Sequence, residues 1–204
     1  MRAIRHIRFV TAISVLVALF WPCRIGAQNQ VMGEVKFSGA SKVEKDSGVW
    51  VDGQYVGYLK ELKGNKKIML LPGDHEILVR QAGYKDFTTT IVAEPGQVLK
   101  VRVMMMKDTT ARYPGADAAT LKLNVTPDRA AVFVDDGYVG HAADFGGALH
   151  AMLVAPGKHR IKIDLPGYRT FETEINLLAG QKAEIKTDLV KGSIEQAGSL
   201  VMQR

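Results

Sequence analysis

The sequence predicts an all-β protein: two tandem small β-sandwich modules joined by a short linker and preceded by an N-terminal helical signal segment. Three observations carry that expectation. Blocks of turn residues recur at a near-constant offset, apolar residues around them alternate with a period of two, and a short apolar run behind a basic start opens the chain. A hydrophobic fraction of 47% with 24% charged residues is globular composition, which excludes a disordered polymer and a multi-span membrane protein.

Residues 1–27 read as a secretory signal peptide. Arg2, Arg5 and Arg8 stand without an acid before the apolar run Phe9 to Trp21, and Gly26-Ala27 supplies small residues for cleavage after Ala27. The run is shorter than the roughly 20 residues of a comfortable membrane-spanning helix. The membrane is therefore expected as a partner only if the segment stays uncleaved as an anchor. Cys23 follows Phe20, Trp21 and Pro22, which is unlike a lipoprotein signal. The leader also holds four arginines and no acid, so its loss lowers the net charge from +6 to +2 and removes the single cysteine. A mature chain so nearly neutral gives no reason to expect nucleic acid as a partner, and it must be held by apolar burial without disulfides.

The first module is placed at 31–106 and the second at 120–189. Val49-Trp50-Val51-Asp52-Gly53-Gln54-Tyr55-Val56-Gly57 aligns with Val132-Phe133-Val134-Asp135-Asp136-Gly137-Tyr138-Val139-Gly140 at an offset of 83. Pro72-Gly73 with His75 then meets Pro156-Gly157 with His159 at an offset of 84, and Gly83-Tyr84 meets Gly167-Tyr168. Strands follow from alternation: Val35 to Phe37, Ile77 with Val79, and Leu99 with Val101 and Val103 in the first copy; Leu121 with Leu123 and Val125, Ile161 with Ile163, and Ala183 with Ile185 in the second. Turns follow from Pro-Gly and Asp-Gly, because proline fixes φ and glycine accepts positive φ. The polar stretch Ser38 to Gly48 is expected to be a mobile loop. Residues 107–119 lack any period and read as the linker, and the tail 190–204 is expected to fray or pack loosely.

These residues resemble the PEGA domain family, small β-sandwich modules of extracytoplasmic proteins. The likeness rests on Val51-Asp52-Gly53, Val56-Gly57, Pro72-Gly73 with His75 and Gly83-Tyr84, and on their counterparts in the second copy, where Thr126-Pro127 also leads toward Val132. The first copy departs from the pattern at its opening. The resemblance implies binding or structural units of envelope and surface proteins, with no catalytic residues to carry over.

Each candidate for chemistry has a plainer reading. His75 and His159, entering strands behind Pro-Gly, are expected to satisfy turn carbonyls. Asp52, Asp135 and Asp136 sit at hairpin turns, where aspartate tolerates positive φ and caps amides. His141, His150 and His159 lack compact metal-ligand spacing, and no serine has a nucleophile-elbow context, so neither a metal, a cofactor nor a catalytic residue is expected. Trp50 and Phe133 occupy one strand position and are expected to fill the sandwich cores. Tyr55 with Tyr138, and Tyr84 with Tyr168, form matched pairs that could stack on a ligand. The expected function is a non-enzymatic, exported binding or structural module of the periplasm, envelope or cell surface, contacting envelope protein or cell-wall polymer. The alternative is a carbohydrate-binding protein using exposed tyrosines; a small hydrolase would need a concave pocket of convergent polar groups.

Overall fold

Alternating sequences joined by tight turns build two sandwiches of the same topology. The computed structural model describes residues 31–63, 66–147, 150–192 and 201–203, so the expected signal segment lies outside the described residues. In the first module β1 (Gly33–Ser38), α1 (Lys42–Asp46), β2 (Gly48–Val51), β3 (Gln54–Tyr58), β4 (Lys67–Leu70), β5 (Gly73–Arg80), β6 (Phe87–Ala93) and β7 (Val98–Arg102) follow in order. One sheet has the order β3-β2-β5-β6 and is antiparallel throughout. The facing sheet has β1 between an antiparallel β4 and a parallel β7.

The second module repeats this with β8 (Ala119–Thr126), β9 (Ala131–Val134), β10 (Gly137–His141), α2 (Ala142–Phe145), β11 (Met152–Val154), β12 (Gly157–Asp164), β13 (Phe171–Leu177) and β14 (Lys182–Asp188). Its sheets run β10-β9-β12-β13 and β11-β8-β14, with β8 parallel to β14. A last strand, β15 (Val201–Gln203), pairs antiparallel with β4.

Each sandwich closes over its own core. Val35, Val49, Val51, Ile77 and Val79 meet in the first, and Leu121, Leu123, Val132, Ile161 and Ile163 meet in the second. The alternation selects them: in β12 the isoleucines at 161 and 163 point inward while Lys162 and Asp164 point the other way.

Two expectations need correction. The stretch Ser38–Gly48 carries a short helix, because the Ser41 hydroxyl accepts from the Glu44 N–H while the Glu44 carboxylate accepts from the Ser41 N–H at 2.8 Å. That reciprocal bonding holds α1 at its start. The tail is also fastened at its beginning: the Val190 carbonyl accepts from the Arg169 N–H at 2.8 Å, and Lys191 bridges Tyr168. The equivalent bridge in the first module joins Lys107 to Tyr84.

The hairpin aspartates act as the sequence suggests. Asp52 and Asp135 take φ of +50° and +49°, and each carboxylate is fixed twice. Asp52 accepts from the Glu76 N–H at 3.0 Å and contacts His75 Nδ1 at 2.7 Å; Asp135 accepts from the Arg160 N–H at 2.9 Å and contacts His159 Nδ1 at 2.7 Å. The other ring nitrogens lie 2.7 Å from the Leu71 carbonyl and 2.8 Å from that of Ala155, so both histidines satisfy turn carbonyls.

Candidate binding grooves between the modules

Period-two geometry decides where the matched aromatics go. Val49 and Val51 point into the first sandwich, so Trp50 between them must point out; Phe133, between Val132 and Val134, does the same in the second. The expectation that these two rings fill the sandwich cores is therefore corrected. Both are 6% exposed, but they are buried against each other, in a third apolar cluster with Tyr55, Ala131 and Tyr138. The sheet β3-β2-β5-β6 packs its outer face on the outer face of β10-β9-β12-β13.

The aromatic cluster is tightly arranged. Trp50 lies 5.2 Å from Tyr55, 6.0 Å from Phe133 and 5.2 Å from Tyr138, the last two edge to face. Such edge contacts place a positive ring edge against a negative ring face. Arg80 sits over Trp50 at 5.7 Å and Lys162 over Phe133 at 5.2 Å, which adds cation–π attraction at the margins. Beside the cluster Tyr58 packs on His141 at 4.2 Å, and Glu61 pairs with Arg129.

Trp50 and Phe133 are equivalent positions, as are Tyr58 and His141. A residue touches its own equivalent only near a two-fold axis, so the modules meet as the two halves of a homodimer do. The contact is two-fold only approximately. The Tyr138 hydroxyl meets His141 Nε2 at 3.0 Å, whereas among the described residues the buried Tyr55 hydroxyl has no partner. Burial pushes both phenols far above their ordinary range. Asp144 closes the polar corner by accepting from the His141 N–H at 3.0 Å, and its bond with the His141 ring holds its carboxyl below the usual range.

Two grooves flank this interface, framed by equivalent hairpins and turns of the two modules. The larger, about 1000 Å³, runs between the β2–β3 hairpin at Gly53–Val56 and the second module's turn at 164–170. The smaller, about 340 Å³, runs between the β9–β10 hairpin at 136–138 and the first module's turn at Arg80–Tyr84 with Asp86. Charge lies at both mouths, where Arg80 pairs with Asp86 at 3.0 Å and Thr170 donates to Asp164 at 3.0 Å. Lys162 and Arg169 add cations to the larger groove.

The tyrosines singled out from sequence are thus paired crosswise. Tyr55 and Tyr168 line the larger groove, and Tyr138 and Tyr84 the smaller. Tyr55 and Tyr138 are each 7% exposed and serve the interface; Tyr84 and Tyr168 are half-buried. Sequence reasoning missed Arg80, Lys162, Asp164 and Arg169. The signal for them was present, since Arg80 and Asp164 stand at equivalent positions on the strand face that also bears the outward aromatics. Among the described residues no group of three or more His, Cys, Asp or Glu side chains is placed to hold a metal ion.

Comparison with known proteins agrees with the duplication. The family model of the PEGA domain matches residues 41–109 and again 118–193. The second match includes β8, whereas the first begins after β1, where the first copy departs from the pattern. No curated protein matches the chain. Among solved structures the Bacillus anthracis TIE protein is similar at 16% identity with a TM-score of 0.25, over 79% of this chain and 34% of that one. The chain spans about a third of that protein's length, and a likeness at this level carries no functional argument.

Proposed function

The chain belongs to the PEGA domain family, and from that premise we propose that it is a non-enzymatic binding or structural module of the cell envelope, working outside the cytoplasm. The observation that carries this reading is the pair of grooves between two modules joined face to face. An aromatic interface of this kind fixes the modules relative to one another, so the grooves are pre-shaped, which lowers the ordering cost of binding. The larger groove is lined by Arg80, Lys162, Asp164 and Arg169, which can orient a partner, together with the apolar rings of Trp50 and Phe133. The basic and apolar start of the sequence supports export.

The partner is read as an envelope protein or cell-wall polymer. A carbohydrate is the second reading, favoured by one half-buried tyrosine in each groove, Tyr168 and Tyr84. A photo-crosslinking side chain in place of exposed Arg169, in intact native cells, tests both. A discrete protein adduct is expected, and a polymer adduct would mark the carbohydrate reading. Recovery of free monomer alone would overturn the proposal.

A further inference from the structure

We propose that β14 is a self-complementary edge strand through which two copies of this chain pair, independently of what the grooves bind. Among the described residues no strand pairs with the outer side of β14, which ends the sheet β11-β8-β14. An open edge is a template for another strand. Its ladder to β8 starts at the Gln181 carbonyl, which accepts from the Thr120 N–H at 2.7 Å, and ends at the Leu189 N–H, which donates to Thr126 at 2.7 Å. The odd-numbered residues therefore direct their backbone groups to β8. Those of Lys182, Glu184, Lys186 and Asp188 point outward, ready for a new partner.

The side chains of those four residues are all exposed, and their signs alternate: plus, minus, plus, minus. Placing a second β14 antiparallel about an axis at Ile185 sets Glu184 opposite Lys186 and Lys182 opposite Asp188. The two-fold generates each pair twice, so four opposite-charge contacts line one face, each in the favourable cross-strand arrangement. On the other face the half-buried Ile185 side chains meet, extending two apolar cores across the seam. A two-residue shift of the pairing, centred on Lys186, would set Lys186 against itself and Glu184 against Asp188, and a four-residue shift, centred on Thr187, would set Lys186 against Asp188 but leave Glu184 and Lys182 unpaired. Charge therefore specifies register as well as partner.

The equivalent strand in the first module cannot do this. On β7 the same positions hold Val98, Lys100 and Arg102, and antiparallel self-pairing about Val101 would set Lys100 against Arg102. The edge β13 exposes Glu172, Glu174 and Asn176, so no register gives it an opposite-charge pair and pairing about Glu174 sets that residue against itself. Like charges directly opposed are destabilising. β6 is uncharged over Phe87–Ala93 and would neither select a partner nor fix a register. A β14 contact is also closed: its two-fold uses each copy's edge once and stops at a dimer.

The test is the mass of the protein by sedimentation equilibrium, before and after charge reversal. The unaltered protein is expected at twice the monomer mass at low ionic strength, dissociating as salt is raised. An all-acidic edge, Lys182→Glu with Lys186→Glu, and an all-basic edge, Glu184→Lys with Asp188→Lys, should each self-associate at least about tenfold more weakly. Mixing the two variants should restore a dimer of one copy of each. All four positions are exposed, and unchanged thermal unfolding of each variant shows that the fold survives. An unaltered protein that stays monomeric, a dimer that both variants retain, or variants that fail to associate when mixed would each overturn the proposal.

Discussion

At the scale of single residues, the aspartate–histidine contacts hold both hairpins to the next strand, and they make stability depend on pH. In the first module burial disfavours the charged His75 ring, but its bonds to Asp52 and the Leu71 carbonyl outweigh that and raise its pKa. Both ring nitrogens face acceptors, so only the protonated ring donates to both at once. In the second module the lowered group is Asp135, held down first by its bond to His159 and then by the Arg160 N–H. A histidine with a raised folded pKa contributes stability that is full below its unfolded value of about 6.5 and lost as pH climbs through the folded one. A lowered aspartate contributes stability that is present above its unfolded value and lost as pH falls through the folded one. The denaturant midpoint should therefore decline as pH rises through and above about 6.5, and His75→Gln should flatten that decline while lowering the midpoint on the acid side. A profile as steep in His75→Gln as in the unaltered protein would show that His75 is not the group responsible. This behaviour was partly legible in the sequence: Asp-Gly and Pro-Gly mark the turns and the histidines sit behind them, but nothing local says that a ring at 75 reaches a carboxylate at 52.

At the scale of elements, strands were legible and short helices were not. Period two survives in β5, β8 and β12 because one face must be buried, and it fixes which residues are inside. It also puts Trp50 and Phe133 on the face opposite their valine neighbours, but with both faces apolar only the structure tells that the valines are the ones turned inward. α1 escaped because five residues span little more than one turn and show no apolar period. Its signal was the spacing Ser41-x-x-Glu44, and the structure shows how much rests on it. The Glu44 carboxylate accepts from Ala40 at 2.6 Å, from Ser41 at 2.8 Å and from Met105 at 3.4 Å, tying the helix start to the segment after β7. These backbone bonds, that from Ser41 foremost, hold its pKa below the ordinary carboxylate range. Ser41→Ala removes one side of the reciprocal cap and should cost about 1 kcal/mol, read as a shift in the denaturant midpoint without a change in slope. A change in slope would mean instead that the whole 38–48 segment had come loose.

At the scale of the whole molecule, the decisive relation is the one the sequence could not express: two copies of a sandwich packed on equivalent faces. A repeat reveals shared backbone, whereas a contact between repeats depends on which outer residues meet, and outward Trp50 and Phe133 read equally well as core. The interface has its own energetic identity, because Trp50, Tyr55, Phe133 and Tyr138 cluster separately from either sandwich core. Truncating a buried tryptophan typically costs about 3–5 kcal/mol. In Trp50→Ala that loss falls on the contact between modules, since the ring is no part of the first module's interior. In Val49→Ala, one residue away but pointing inward, a smaller loss falls on the first core. The unaltered protein is therefore expected to unfold in one cooperative transition. Trp50→Ala should split it into two, each with roughly half the enthalpy, as the modules come to melt independently. Val49→Ala should lower the melting temperature and leave the modules coupled. Calorimetry separates the cases through the ratio of calorimetric to van't Hoff enthalpy, and a single shifted transition in both variants would show that the aromatic cluster does not couple the modules.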